Sequence, residues 1–229
     1  MSIDENYKRI KKEIPPHVTL VVVIKQREKK EIEEVINAGA TNIGENYVQE
    51  AQKFYEQLGQ KANKVKWHMI GSLQKNKINK ALKIFDVIQT VNSYKKAQEI
   101  NNRAEKSKKD LVPIYLEINI GNENSKTGIN PNEHESFEKY LKKLIQNISK
   151  LKHVKIEGLM TIGPRFKDSE KIRPYFKKMK KIFDKIKELK IPNTDIKTLS
   201  MGMTNSYKVA IEEGSNMVRI GTAIFGKRK

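Results

Sequence analysis

One lysine follows the first strand-like run of the chain and is the first candidate for covalent chemistry. The run VTLVVVIK (18–25) ends in Lys25, and strand alternation places its side chain on the same face as Val21 and Val23. A lysine shielded from water there offers a neutral amine, which is the nucleophile of Schiff-base chemistry. The alternative is a lysine that ends a strand and reaches water, and position alone favours that interpretation.

Two later segments combine glycine with hydroxyl residues at points where a strand turns into a helix. They are SMGMTNS (200–206) and RIGTAIFG (219–226). Backbone N–H groups in such turns form anion sites. Ordinary helix capping and turn formation would use the same residues. Because two such turns follow neighbouring strands, we favour a phosphate site.

Arg219 alternates with Met217 and Gly221 in the last strand-like run. If this face points inward, the guanidinium is buried and needs an acceptor. That acceptor is either a ligand or a strand carboxylate such as Glu157 or Glu117, and the sequence leaves both open.

Two further segments, GENYVQE (44–50) and WHMIGSLQKNK (67–77), are rich in side chains that bind ligands. Asn46 is placed to hydrogen-bond a ligand, and His68 to line the mouth of a site. A single histidine on a strand is more often a satisfied core residue than a catalyst, and we expect that role for His68. The sequence contains neither a nucleophile elbow of a Ser-His-Asp triad nor an HExxH motif.

The elements that must position these residues alternate along the chain. Short β-branched runs are separated by longer amphipathic runs, which is typical of a parallel sheet with helices outside. Helix-like segments cover 3–13, 28–38, 47–59, 74–83, 93–108, 131–150, 168–190 and 204–213, and the strand-like runs are 18–25, 41–46, 65–71, 86–91, 113–120, 154–162, 197–202 and 217–221.

Eight strand–helix units predict a (β/α)8 TIM-type barrel with an extra N-terminal helix, as one domain over residues 1–229. An open doubly wound sheet competes, but neither GxGxxG nor GxxxxGK[ST] follows the first run. In a barrel the chemistry lies at the carboxyl ends of the strands, where the candidate residues stand.

Composition excludes several classes of protein. The chain of 229 residues has no cysteine and four histidines, so we expect neither thiolate chemistry nor a metal site. The formal charge of +19 raises the possibility of a nucleic-acid partner. The basic residues recur through most helix-like segments mixed with glutamate, however, so we favour a solvated surface. With no apolar run of membrane-spanning length and no signal peptide, we expect a cytoplasmic protein.

The motifs VVVIK, GENYVQEA, WHMIGSLQKNK, SKTG, GLMTI, LSMGM and MVRIGTAIFG occur in this order. Together they resemble the pyridoxal phosphate homeostasis protein family, whose members are related to the N-terminal barrel of alanine racemases. The resemblance covers about residues 18–226. It implies a role in cofactor homeostasis with little or no catalysis.

The resemblance also implies roles for single residues. Lys25 would hold pyridoxal 5′-phosphate as a Schiff base, and Arg219 would face the pyridine nitrogen. A permanent cation there disfavours protonation of the ring and makes it a weaker electron sink. Ser200, Gly202, Gly221 and Thr222 would bind the phosphate, while Asn46 and Met160 would line the ring with His68 and Gly71 beneath or beside it.

The chain departs from the family pattern at four positions: Ile24, Gln26, Ser72 and Ser206. These changes affect local hydrogen bonding near the cofactor. Only KRK follows IFG, so the second domain of alanine racemases, with its catalytic tyrosine, is not expected; we therefore expect a monomer.

Two rival functions remain, a PLP-dependent amino-acid racemase of low activity and a basic nucleic-acid-binding protein. Apoenzymes that use the cofactor are candidate partners, and the loop 121–130 is either a lid or a docking surface.

Overall fold

The computed structural model describes residues 2–227, and within them eight parallel strands close into a barrel. Each strand pairs with the next one along the chain, and the first pairs with the last through Val21 and Arg219. The TIM-type barrel predicted from the sequence is therefore confirmed. The strands are β1 (Thr19–Val23), β2 (Asn42–Glu45), β3 (Lys66–Met69), β4 (Val87–Val91), β5 (Val112–Ile118), β6 (Val154–Thr161), β7 (Thr198–Ser200) and β8 (Met217–Ile220).

Helices connect the strands on the outside of the barrel, as right-handed crossovers require. Their boundaries are α1 (Ile3–Glu13), α2 (Lys29–Asn37), α3 (Val48–Leu58), α4 (Ile78–Ala81), α5 (Tyr94–Lys106), α6 (Phe137–Ile148), α7 (Arg173–Glu188), α8 (Tyr207–Glu212) and α9 (Thr222–Phe225).

Some predicted helices are shorter or divided in the structure. The segment 131–150 begins with a 3-10 turn at Pro131–Glu133, and α6 starts only at Phe137. The segment 168–190 likewise begins with a 3-10 turn at Ser169–Ile172, after which Pro174 lies in the first turn of α7. Proline tolerates that position because its missing N–H would have no partner there. The four-residue helix α9 was not predicted, since it is too short to show a helical period.

The barrel has an inner and an outer core. Val21, Val87, Tyr115, Met160 and Met217 form a buried cluster inside the barrel. A much larger apolar cluster fills the space between the strands and the helices. This double burial explains why most strands read as continuous apolar runs.

Helix α1 packs on the outside against α2 and α9. Its start is fixed by a capping box in which Ser2 and Glu5 bond to each other's backbone N–H. On the inward face of this helix Ile10 is buried, and the Tyr7 hydroxyl donates a 3.0 Å hydrogen bond to the carbonyl of Gly39. Because α9 has only four residues, α1 supplies packing that a full eighth helix would otherwise give.

Candidate functional site

A cavity of about 550 Å³ opens beside the carboxyl ends of β1, β6, β7 and β8. Arg219 lies in its wall, next to the turn formed by Gly221 and Thr222. The loop after β7 and the loop after β6 form other parts of the lining. The cavity is lined by Val23, Arg27, Pro164, Arg165, Phe166, Ser169, Ile172, Met203, Thr204, Asn205, Ser206, Arg219, Gly221, Thr222 and Lys227.

Lys25 lies in a turn just after β1, two residues beyond Val23 of the cavity wall. Its side chain is partly exposed, and its Nζ lies 4.7 Å from the centre of the Tyr47 ring. The next residue, Gln26, has a φ of 56°, and its N–H donates to Glu50 Oε2 at 3.1 Å. The strand thus ends two residues earlier than predicted. The lysine is carried by a left-handed turn that Glu50 stabilises.

Glu45 is a buried carboxylate at the end of β2, on the same side of the barrel as Lys25. Its Oε1 accepts hydrogen bonds from the N–H groups of Asn46 and Tyr47 at 2.5 and 3.0 Å, whereas its Oε2 has no partner among residues 2–227. Burial raises the pKa of Glu45 to about 7, against the two backbone hydrogen bonds that lower it. Glu45 therefore fixes the backbone that carries Asn46.

The Arg219 side chain is buried inside the barrel with defined acceptors. Nη1 donates to Ser200 Oγ at 2.6 Å, and Nη2 donates to the carbonyl of Thr161 at 2.8 Å. Burial lowers the pKa of Arg219 to about 10, which leaves it a cation at neutral pH, and Glu117 opposes that shift. Of the two carboxylates that the sequence left open, only Glu117 acts on Arg219, through its charge and without a direct ion pair within residues 2–227.

Glu117 is buried at the end of β5, where burial raises its pKa. Its Oε1 accepts a 2.9 Å hydrogen bond from the Thr127 hydroxyl, and its Oε2 has no partner in the described part of the chain. Thr127 belongs to the loop 121–130, which is tied down further by a 2.9 Å hydrogen bond from Lys126 Nζ to the carbonyl of Gly163. The loop is therefore anchored at both β5 and β6.

His68 is fully buried on β3, and both of its ring nitrogens have partners. Nδ1 lies 2.9 Å from Gln89 Nε2, and Nε2 lies 2.9 Å from Asn42 Oδ1. Burial lowers the pKa of His68 to about 3, so the ring is neutral. This environment is that of a hydrogen-bonded core histidine inside the barrel.

Gly71 follows β3 and lies against Asn46. A Cβ on Gly71 would meet the carbonyl oxygen of Asn46 at 2.3 Å, so no larger residue fits. The Gly71 carbonyl accepts a 2.7 Å hydrogen bond from the Thr90 hydroxyl. Met160 lies deeper, in the inner core. Gly71 thus allows the ends of β2 and β3 to approach closely.

Three of the ten residues predicted for the site line the cavity: Arg219, Gly221 and Thr222. Ser200 lies inside the barrel, where its hydroxyl bonds Arg219 and Gln89. Gly202 has a φ of 96°, which starts the loop that brings residues 203–206 to the cavity. The structure places Lys25, Asn46, His68, Gly71, Met160, Ser200 and Gly202 around the cavity lining or below it rather than in it.

The four departures from the family pattern occupy different environments. Ile24 is fully buried, and Gln26 adopts the left-handed turn described above. Ser72 is exposed. Ser206 lines the cavity, and its Oγ accepts a 3.2 Å hydrogen bond from the N–H of Met203. Of the four, Ser206 is the side chain in contact with the cavity.

The residues around the cavity fit a phosphorylated pyridine aldehyde. The Gly221–Thr222 turn and the loop 203–206 bring the hydroxyl residues Thr222, Thr204 and Ser206 to the lining, and hydroxyls suit a phosphate. Arg27, Arg165 and Lys227 add positive charge to the lining. Arg219 offers a buried cation, and Lys25 offers an amine one strand away.

Two buried site residues were not predicted, Glu45 and Gln89. Glu45 directly precedes Asn46 at the predicted end of a strand, so its position was a usable signal. Gln89 is an amide within the run DVIQTV, and its partners come from β3, β7 and β8, which the sequence does not bring together. Within residues 2–227, no cluster of three or more His, Asp or Glu could hold a metal, and no helix has the length and apolar character to cross a membrane.

Comparisons with known proteins give consistent results. The family model "Alanine racemase, N-terminal domain" matches residues 1–229. The pyridoxal phosphate homeostasis protein of Pasteurella multocida is 38% identical over 211 residues, which are 92% of this chain and 87% of that protein. The protein of the same name from Escherichia coli K12 is 36% identical over 219 residues, 93% of this chain and 87% of that one.

Solved structures show the same relationship. PipY of Synechococcus elongatus, in a structure with PLP bound, superposes with a TM-score of 0.86 at 29% identity and covers 98% of this chain and 100% of its own. Alanine racemase of Clostridium difficile superposes with a TM-score of 0.76 at 20% identity, and the match covers 99% of this chain and 56% of that enzyme. At that identity, the second similarity concerns the fold alone.

Proposed function

Because this chain belongs to the pyridoxal phosphate homeostasis protein family, which is built on the alanine racemase N-terminal domain, we propose that it binds pyridoxal 5′-phosphate and serves the homeostasis of that cofactor. The relatives carry this function in their names, and PipY has been solved with the cofactor bound. The proposed unit is one cofactor-binding domain over residues 1–229.

The observation that carries the proposal is the position of Arg219. Its guanidinium is buried in the wall of the cavity, beside the Gly221–Thr222 turn, and no carboxylate of the described residues pairs with it directly. A buried cation next to an anion-binding turn suits a ligand that carries both a phosphate and a basic ring nitrogen.

Lys25 is the proposed covalent attachment point. Its amine would hold the cofactor through a reversible bond to the aldehyde carbon, formed with release of one water. In the structure the amine rests over the exposed ring of Tyr47, outside the cavity lining. The long side chain must turn from Tyr47 toward the cavity when it binds.

The same geometry supports a holding role with little or no catalysis. When bound, the cofactor supplies an electron sink whose strength depends on protonation of its ring nitrogen. Arg219 is a cation, and it cannot accept a hydrogen bond from a protonated ring nitrogen, so it disfavours the protonated ring. A racemase of low activity is the alternative, and it predicts exchange of solvent hydrogen into the α-position of an amino acid.

Lys25→Ala tests the attachment. We expect the wild-type protein to develop visible absorbance with pyridoxal phosphate and to retain it covalently after borohydride reduction. Lys25→Ala should lose the reduced adduct, whereas Lys30→Ala, which removes an exposed lysine five positions away, should keep it. Mass mapping of an adduct to any lysine other than Lys25 would contradict the assignment. A colourless wild-type protein would contradict cofactor binding itself.

The proposal also covers the partners, the location and the oligomeric state of the protein. A carrier that releases its cofactor would deliver it to apoenzymes, act in the cytoplasm and need no partner subunit. Sedimentation velocity should give a monomer, and mixing the loaded protein with a PLP-dependent apoenzyme should restore that enzyme's activity. Binding of DNA or RNA that survives physiological salt would instead favour the nucleic-acid function.

A further inference from the structure

Five buried or partly buried side chains form one hydrogen-bonded chain across the interior of the barrel. Arg219 Nη1 lies 2.6 Å from Ser200 Oγ, and Ser200 Oγ lies 2.8 Å from Gln89 Oε1. Gln89 Nε2 lies 2.9 Å from His68 Nδ1, and His68 Nε2 lies 2.9 Å from Asn42 Oδ1. The chain joins β8, β7, β4, β3 and β2 below the cavity.

Arg219 determines which group donates and which accepts in each of these hydrogen bonds. A guanidinium only donates, so Ser200 accepts from Arg219 and must give its own hydrogen to Gln89 Oε1. The Gln89 amide nitrogen then donates to His68 Nδ1. The remaining ring proton is therefore on Nε2, where it is donated to Asn42. Each hydrogen has one acceptor, and His68 is held as one neutral tautomer.

Gln89 reaches this position because β4 is irregular there. Along β4 the pairing with β5 advances from Ile88 to Val91, while the partner strand advances only from Ile114 to Leu116. One extra residue therefore lies in β4, as in a β-bulge, and bulges re-aim side chains next to sites. The bulge places the fully buried Gln89 between His68 and Ser200.

We propose that Gln89 is a positioning residue for Arg219, which it holds through Ser200 while it fixes the neutral tautomer of His68. The consequence rests on the proposed function: a cofactor ring that meets Arg219 encounters a cation that is held in one position. The interior of the barrel would then help to keep the ring of the bound cofactor unprotonated and its reactivity low. If these hydrogen-bonded side chains only filled the core, replacing Gln89 would leave Arg219 and the cofactor unaffected.

The first test needs no cofactor. In ¹⁵N-labelled apo-protein, with His68 assigned by the loss of its signals in His68→Asn, we expect the ring to show the Nε2–H tautomer without change from pH 8 to pH 5. At pH 8, Gln89→Glu in its ionised form keeps an acceptor for Ser200 but has no hydrogen for Nδ1. We therefore expect a proton on Nδ1 in that variant, and an unchanged Nε2–H tautomer would overturn the assigned direction.

The second test measures positioning. Gln89→Met keeps the length of the side chain without either hydrogen bond and adds no buried charge, so it applies even if Gln89→Glu fails to fold. We expect the Arg219 guanidinium signals to broaden and the affinity for pyridoxal phosphate to fall roughly tenfold in this variant, as loss of a hydrogen bond that orients a charged group predicts. Gln49→Glu, on the exposed surface of α3, should change neither.

The outcomes separate this inference from the proposed function. If the wild-type protein does not bind pyridoxal phosphate, yet Gln89→Met broadens the Arg219 signals, the positioning role stands and the cofactor function fails. If the wild-type protein binds it and Gln89→Met alters neither the Arg219 signals nor the affinity, the positioning role is overturned.

Discussion

At the scale of single residues, the geometry around Arg219 depends on the shape of its guanidinium. One terminal nitrogen donates to a hydroxyl on β7 and the other to a carbonyl on β6, so the group joins two strands. A lysine has a single nitrogen on a flexible stem and cannot reproduce this fork. Ser200 is therefore engaged by the arginine, and its hydroxyl serves the barrel interior.

A pair of hydroxyl deletions separates ligand binding from support of the barrel. Thr222 lines the cavity, so Thr222→Ala should weaken binding of pyridoxal phosphate by about 1–3 kcal/mol and leave binding of unphosphorylated pyridoxal unchanged. Ser200→Ala removes one buried hydrogen bond from Gln89 and one from Arg219, so it should lower the free energy of unfolding by about 1–3 kcal/mol.

Absorbance titration with the two ligands and urea denaturation measure these effects. Equal losses of affinity for both ligands in Thr222→Ala would show that its hydroxyl does not contact the phosphate. Unchanged stability of Ser200→Ala would show that water replaces the lost hydroxyl.

At the scale of elements, the sequence was sufficient for the order and type of the strands. The apolar runs follow from burial on both faces of the barrel, and that signal is local. Gln89 and its partners were not predictable, because hydrogen bonds among β3, β4 and β7 depend on closure of the barrel and on one extra residue in β4. Lys25 was predicted as the last residue of the first strand, but β1 ends at Val23, and the left-handed turn at Gln26 that Glu50 stabilises was not foreseen.

Helix α1 offers a test at this scale. Ile10 is almost fully buried, so Ile10→Ala should lower the free energy of unfolding by about 2–5 kcal/mol through lost burial and the cavity left behind. Ile3, on the same helix, is only partly buried, and Ile3→Ala should cost less. Urea denaturation of both variants measures the difference, and equal losses would contradict the docking of α1 on the barrel.

At the scale of the whole molecule, the charge of +19 is mostly a property of the surface. Three lysines of the described residues pair with carboxylates one helical turn away: Lys8 with Asp4, Lys29 with Glu33 and Lys180 with Asp184. Exposed pairs of this kind contribute little to stability. Inside the barrel, burial perturbs the pKa of Arg219, Glu45, Glu117 and His68.

Two of these groups give opposite pH dependences of stability. The pKa of His68 falls from 6.5 to about 3 on folding, so between these values the unfolded chain binds the extra proton and acidification destabilises the fold. The pKa of Glu45 rises from 4.5 to about 7, so between these values the folded protein binds the extra proton and acidification stabilises it. The two effects oppose each other between pH 6.5 and 4.5.

Replacing either Glu45 or His68 should reveal the pH dependence of stability that the other residue contributes. Relative to wild type, Glu45→Gln should lose about 1.4 kcal/mol of unfolding free energy for each pH unit of acidification below about pH 6.5, because the opposing proton uptake is gone. His68→Asn should gain stability relative to wild type at the same rate over the same range. Glu105→Gln, at an exposed position, is the matched control and should follow wild type. Urea denaturation of the apo-protein from pH 7 to pH 4 measures the slopes. If both variants keep the wild-type slope, then neither group holds its buried charge state in the folded barrel.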